Sequence, residues 1–258
     1  MKIIAIANQK GGVGKTTTSI SLSAGLALLG QRVLMVDLDP QANATSGVGA
    51  EPSSEGSIYG PLLGNEPVAD KITSTRIERL SIIPADMDLA GVEIELARRD
   101  DHLTRLRTIL QDLKKKGLFD FIILDTPPSL GVLMTSALAS ADEVLIPLQC
   151  EWFGLEGLAK IVHVIEQIKE SGAAPELSLS GIIMTMYDGR TNLSKQVVEE
   201  VEKYFKEQIY ERVIPRTIKI GEAPSFGRTI FEHDPSGTGA RAYMAVAQEF
   251  LERHGKSY

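Results

Sequence analysis

A short β-branched run, Ile3 to Ala7, breaks into Lys10-Gly11-Gly12-Val13-Gly14-Lys15-Thr16-Thr17, and an amphipathic pattern begins at Lys15. The order of glycines, lysine and hydroxyls in this strand-loop-helix frame limits what the chain can build. Glycines 11, 12 and 14 let the backbone bend so that successive N–H groups face inward as an anion nest, while the helix that follows aims its positive end at the same point. Lys15 is then expected to reach the β- and γ-phosphates of a nucleotide, and the Thr16 hydroxyl to ligate Mg²⁺. The expected cradle runs from Lys10 through Gly11, Gly12, Val13, Gly14, Lys15 and Thr16 to Thr17. A dinucleotide fingerprint fits worse, because that motif has no use for Lys-Thr after its last glycine and expects an acidic ribose partner at a later strand end.

Further β-branched runs alternate with amphipathic segments, the pattern of βαβ units and a parallel sheet covered on both faces. The spacing predicts strands at Ile3 to Ala7, Arg32 to Asp37, Leu80 to Pro84, Phe121 to Asp125, Glu143 to Leu148, Leu179 to Met184 and Arg212 to Ile214. It predicts helices at Lys15 to Leu29, Asp101 to Lys116, Gly154 to Glu170, Leu193 to Gln208 and Thr238 to Arg253, with Gly30, Gly117 and Gly172 as stops. The fold class is therefore α/β: a single-domain P-loop nucleoside triphosphatase with a mostly parallel, doubly wound sheet covered by helices on both faces. At 258 residues, 43% hydrophobic and 24% charged, the chain is expected to form one domain over 1–258. The Gly/Pro/Ser-rich stretch from Val48 to Pro67 is expected to be a long loop.

Two carboxylate stations fit phosphoryl chemistry. Asp125 ends the uniformly apolar Phe121-Ile122-Ile123-Leu124 and precedes Thr126-Pro127-Pro128, at the carboxyl edge where open α/β sheets bind ligands. It is expected to hold Mg²⁺ directly or through water. In Asp37-Leu38-Asp39-Pro40 the alternation puts both acids on one face, so Asp39 is expected to meet the γ-phosphate water and the metal while Asp37 anchors the loop. A strand-end acid can equally cap a helix or close a loop. Lys15, Mg²⁺ and a water-orienting acid form a sufficient minimal set, since phosphoryl transfer needs charge neutralisation and a positioned nucleophile more than covalent chemistry.

The net charge of −7 repels nucleic acid at long range, so any DNA contact must come from a local basic patch. Lys114-Lys115-Lys116 reads as a solvated helix end, where cations suit the dipole. Cys150, the single cysteine, is expected to be a small buried hydrophobe, and His102, His163, His233 and His254 have no ligand spacing. The opening run is too short for a leader and no stretch reaches about 18 apolar residues, so a cytoplasmic chain without a membrane span is expected.

General phosphate-loop logic does not require Lys10. Together with Asp37-Leu38-Asp39-Pro40-Gln41-Ala42-Asn43 and Asp125-Thr126-Pro127-Pro128, it makes the chain resemble the deviant-Walker-A ATPases of the ParA/MinD superfamily. The similarity to Soj-like ParA proteins extends through Asn43 to Gly47, Thr185 to Asp188, Arg190 to Leu193, Val213 to Arg216 and Glu222 to Ser225. That resemblance implies an ATP-dependent partitioning switch. ATP drives a sandwich homodimer in which Lys10 reaches the partner's phosphates, the dimer binds double-stranded DNA without sequence preference, and a ParB-like partner stimulates an otherwise slow Mg²⁺-dependent hydrolysis. It also implies nucleoid association, DNA contacts at Arg190 and Lys219, and an adenine pocket at Met186, Pro215 and Arg216. Lysine at 219, where relatives can carry arginine, keeps the charge but loses the bidentate fork. The alternative is a MinD-like membrane-associated positioning ATPase; the ending Glu252 to Tyr258, short and mixed in charge, suits it poorly. A cluster-carrying iron protein needs more than one cysteine.

Overall fold

Runs such as Phe121-Ile122-Ile123-Leu124, apolar at every position, are stable only where both faces of a strand are covered, and they become the middle of a parallel sheet. The computed structural model describes residues 1–53, 55–64 and 66–256. Its strands are β1 (Lys2–Ile6), β2 (Val33–Asp37), β3 (Thr73–Ser74), β4 (Leu80–Ile83), β5 (Phe121–Asp125), β6 (Glu143–Gln149) and β7 (Ser178–Thr185). Among the described residues these form one sheet in the order β3-β4-β2-β5-β1-β6-β7, parallel except for the β3–β4 pair. The helices are α1 (Lys15–Leu28), α2 (Asn43–Gly47), α3 (Tyr59–Leu63), α4 (Leu89–Leu96), α5 (Arg105–Lys116), α6 (Val132–Ser140), α7 (Trp152–Glu170), α8 (Asn192–Phe205), α9 (Ile218–Glu222), α10 (Ile230–His233) and α11 (Thr238–Arg253).

Alternate residues of β1 enter two separate cores, Ile3 and Ala5 one, Ile4 and Ile6 the other, so helices cover both faces as expected. In the second core α1 lies between the sheet and α11, which explains why nearly every residue from Thr18 to Ala27 is buried. The register aligns Asp37 with Asp125, and Asp125 with Ile6. Three neighbouring strands therefore end level, and the loops that leave them share one edge.

The expected strand at Arg212 to Ile214 is a correction. This segment runs beside β7, with the Ile214 N–H donating to the Met184 carbonyl and the Tyr187 N–H to the Ile214 carbonyl, yet the isolated bridges to β7 and its extension fall at Ile209 and Pro215 on either side of it and no strand forms. The N–H groups of Ile214 and Arg216 face β7, and Pro215 between them has none to offer a further strand on the outer side. The expected loop from Val48 to Pro67 contains α3, whose Leu62 is fully buried; Ser54 and Asn65 lie outside the described residues, as do Ser257 and Tyr258 of the mixed-charge ending. The helix expected from Asp101 starts four residues later, at Arg105.

Gly181 in β7 faces the Tyr210 ring, and a Cβ there would lie 2.7 Å from the Gln208 carbonyl oxygen. Because backbone cannot yield as a side-chain tip does, Gly181→Ala is expected to destabilise the fold by about 1–3 kcal/mol, read from a urea unfolding midpoint.

Candidate nucleotide site

The Gly-rich loop takes the conformation that its glycines permit, with Gly12 at φ 73° and Gly14 at φ 87°. Gly14 is the N-cap of α1 and supplies no side-chain cap, so the first N–H groups of the helix keep their donors for a ligand. The loop is braced from behind. Thr185 Oγ1 donates to the Val13 carbonyl (2.8 Å), while Asn8 accepts the Lys10 N–H (3.0 Å) and donates to the Pro147 carbonyl (2.8 Å). The Val13 side chain is fully buried, so Val13 offers a ligand only its main chain.

Two adjoining clefts open over this loop. One, about 360 Å³, is lined by Gly11, Gly12, Lys15, Thr16 and Asp39. The other, about 370 Å³ and more apolar, is lined by Pro215, Arg216, Ile218, Ile220 and Tyr243. Gly14, Thr17 and Met186 belong to both. Polar and cationic at one end and apolar at the other, the joined space has the layout of a site for a phosphorylated base.

Lys15 is 6% exposed, and its ammonium donates to the Lys10 carbonyl at 3.2 Å. Burial lowers its pKa, opposed by the charges of Asp125 and Asp39. The two acids of the second station take different places. Asp37 is wholly buried and accepts the Thr45 N–H and hydroxyl, both at 2.8 Å, and the Asp39 N–H at 3.1 Å, closing the turn into α2. The Asp39 carboxylate accepts the Gln41 N–H (3.0 Å), its carbonyl accepts the Ala42 N–H (2.9 Å), and the residue lines the phosphate-side cleft.

Asp125 lies deeper than the cleft wall. Ser19 Oγ donates to its Oδ1 at 2.6 Å, while Oδ2 is buried with no hydrogen-bond partner among the described residues. Burial first, and the Asp37 charge second, raise the Asp125 pKa; burial also raises that of Asp37. Among the described residues no three acidic, histidine or cysteine side chains cluster as a metal site, so a cation here would depend on Thr16 and phosphate oxygens as well as the acids.

On the apolar side, Met186 sits in the left-handed region at φ 53°, and the Arg216 N–H donates to the Tyr187 carbonyl (3.0 Å). Ile218, Ile220 and Tyr243 carry no local signal that would place them at this cleft. Tyr243 comes from α11, and its buried hydroxyl is 3.2 Å from that of Thr18 on α1. Cys150 is buried, its thiol pushed up to about 12 by burial.

A family model described as an AAA domain matches residues 1–179. Over 253 residues the chain is 47% identical to the chromosome partitioning protein ParA of Myxococcus xanthus (strain DK1622), spanning 98% of this chain and 88% of that one. The chain belongs to the ParA/Soj family of partitioning ATPases. A second member, the sporulation initiation inhibitor protein Soj of Bacillus subtilis (strain 168), is 47% identical over 249 residues, 96% of this chain and 97% of its own. The fold is shared with the cobyrinic acid a,c-diamide synthase of Mycobacterium smegmatis solved with bound ADP and magnesium, at 34% identity and a TM-score of 0.85 over 99% of this chain and 96% of that one.

In this ParA-type chain the extra lysine does not enter the phosphate-side cleft. The Lys10 ammonium is 3.8 Å from Glu151 Oε2, on the outer side of the loop beside Phe153 and Lys160. Glu151 also accepts from Arg216 Nη2 (3.1 Å) and Gln149 Nε2 (2.7 Å). Nearby on α7, Trp152 and Phe153 are 64% and 69% exposed. Arg190 and Lys219 line neither cleft; each lies on the surface in an ion pair, with Asp188 and Glu222. Among the described residues no helix is long and apolar enough to cross a membrane.

Proposed function

We propose that this chain is an ATP-gated switch of DNA partitioning, acting as one unit over 1–258 in the cytoplasm on the nucleoid. The observation that carries this is the continuity of the two clefts, with Lys15, Thr16 and Asp39 at one end and an apolar slot at the other. ATP places its adenine between Met186, Pro215 and Arg216 and its phosphates on the N–H groups of Gly11 to Thr17. Lys15 meets the β- and γ-phosphates from its buried position.

The residues present fit a magnesium ion. Asp125 Oδ2 is a buried acceptor without a partner among the described residues, and Thr16 and Asp39 line the cleft. Thr16 and Asp39 would hold the ion, Asp125 directly or through water, and bound there it would neutralise charge on the phosphate oxygens. Asp39 also orients the attacking water. Among the described residues no arginine lines the phosphate-side cleft, which supports slow turnover until a ParB-like partner engages.

Two copies pair face to face over the clefts, Lys10 crosses to the partner's phosphates, and the pair binds double-stranded DNA without sequence preference. Gel retardation with ATP, with ADP and without nucleotide tests this cycle: retardation confined to ATP is expected, and equal retardation in all three would remove the switch. Binding of the ATP form to anionic liposomes in place of DNA would favour a MinD-like positioning role.

Because Lys10 already points out of its own cleft, Lys10→Ala is expected to keep ATP affinity within a few-fold. It should weaken ATP-dependent pairing at least about tenfold, since a charge pair made only in the dimer is lost. Light scattering with ATP checks this, and dimerisation like the parent's would sink the cross-subunit role.

Arg190→Ala and Lys219→Ala are each expected to weaken DNA binding and leave ATP binding intact. Each phosphate contact contributes about 0.9 to the slope of log affinity against log salt, so losing two copies flattens the dimer's slope by up to about two units, uniformly across sequences. Parental affinity and slope in both variants would move the DNA surface elsewhere, with Lys114 to Lys116 next to test.

A further inference from the structure

Arg190 carries one of the most exposed side chains of the molecule, at 89%, yet its guanidinium is occupied. Its Nε and Nη2 donate to the two oxygens of Asp188 at 2.9 and 2.7 Å, the fork-on-fork arrangement a phosphate would otherwise take. Asp188 is fixed in that position. Its N–H donates to Ser194 Oγ, its carbonyl accepts the N–H and hydroxyl of Thr191, and its Oδ1 also accepts the Arg190 N–H. Thr191 in turn caps α8, so the acid is held at the start of a helix and cannot swing clear. The Arg190 hydrogen bonds hold the Asp188 carboxyl down to about 2, and it stays ionised at any working pH.

Lys219 repeats the arrangement in a separate segment. Its ammonium is 2.9 Å from Glu222 within α9, and His233 Nε2 lies 3.6 Å from the same carboxylate. Both cations that would face DNA are thus closed by an acid two or three residues along the chain.

Granted the DNA-binding function proposed above, we propose that Asp188 and Glu222 are built-in competitors for DNA phosphate, each occupying the cation that the phosphate must take over. A phosphate that reaches Arg190 displaces a carboxylate of the same charge and similar geometry, so the contact gains less than it would at a bare cation. Exposed ion pairs of this kind are weak and suppress each competing contact by roughly two- to fivefold. In a dimer with two copies of a pair the suppression multiplies, to roughly four- to 25-fold. The acids weaken each copy's contact with DNA and leave the dimer's grip easier to reverse.

The test is Asp188→Asn and, at the independent pair, Glu222→Gln. Asn keeps the oxygen that accepts the Arg190 N–H, so the turn persists while the charge goes; thermal melting checks the fold of both. DNA affinity is measured with ATP across a salt series, in the parent and in Arg190→Ala and Lys219→Ala backgrounds. Each neutral variant is expected to bind DNA roughly four- to 25-fold more tightly, and to change affinity little once its own cation is absent. An equal gain in the Arg190→Ala background would mean a general charge effect and overturn the proposal for that pair. No gain from Asp188→Asn or Glu222→Gln, where the alanine variants do weaken binding, would overturn it while leaving the DNA function standing. Alanine variants that leave DNA binding unchanged would overturn the DNA surface itself.

Discussion

Lys15→Ala is expected to remove useful nucleotide binding, lowering ATP affinity by about 30-fold to several thousand-fold in a calorimetric titration, the equivalent of about 2–5 kcal/mol. The size follows from the surroundings of the side chain. Lys15 is almost completely buried, and its ammonium lies close enough to Asp125 and Asp39 that both favour its charge against the penalty of burial. Without it a polyanionic triphosphate enters a cleft whose nearest formal charges are negative, and the main-chain N–H groups must hold the phosphates alone. Lys15→Arg offers the charge on a longer, planar head that the braced loop has no room to reposition, and it should recover only part of the loss. ATP affinity equal to the parent's in Lys15→Ala, with an unchanged circular dichroism spectrum, would show that the loop is not the phosphate site.

Asp39→Ala should give the opposite division of effects. ATP binding is expected to change by less than about tenfold, whereas turnover falls by about 10²–10⁴, the range for a lost water-positioning or proton-accepting group. The two acids of this strand end are separable because Asp37 holds the turn and Asp39 does not. The Asp37 carboxylate takes three hydrogen bonds from Thr45 and Asp39, while that of Asp39 takes one from Gln41 and otherwise faces the cleft. Asp39→Ala should therefore leave the turn folded, and the species that accumulates with ATP should be a dimer. Steady-state phosphate release and light scattering on one sample test both halves. Normal turnover, or monomer alone in the presence of ATP, would take Asp39 out of the reaction. By contrast, Asp37→Ala should lower stability, because it leaves the Thr45 hydroxyl and two N–H groups buried without their acceptor.

The sheet was legible wherever a strand is buried on both faces, since Phe121 to Leu124 and Val33 to Val36 have no polar position to mislead. The glycine and lysine pattern from Lys10 to Thr17 located the phosphate-side cleft for a related reason: main-chain geometry of that kind needs those residue types. What escaped was contributed by distant chain segments. Arg212 to Ile214 has the β-branched look of a strand, and only its position at the sheet's margin leaves it between two isolated bridges, at Ile209 and Pro215. Tyr243 reads as one more apolar position of an amphipathic helix; nothing local says that it lines the apolar cleft or that its hydroxyl meets Thr18. The ion pairs of Arg190 and Lys219 were within reach, because the acids stand two and three residues away, but neighbours in sequence become partners only once a turn and a short helix are in place.

The placement of β1 has a consequence for the order of events during synthesis. This strand precedes every other described strand along the chain, yet it is central: its neighbours are β5, at Phe121–Asp125, and β6, at Glu143–Gln149. Helix α1, which carries the phosphate loop, is sheathed by the last helix, Thr238–Arg253. A growing chain therefore exposes its nucleotide motif early, without the strands that grip it or the helix that roofs it. Contacts so far apart along the chain make folding slow and leave apolar edges uncovered for most of translation. A chain stalled before α11 would carry the whole signature from Lys10 to Thr17 without the helix that covers α1, so it is expected to hold ATP poorly until Thr238–Arg253 has been made.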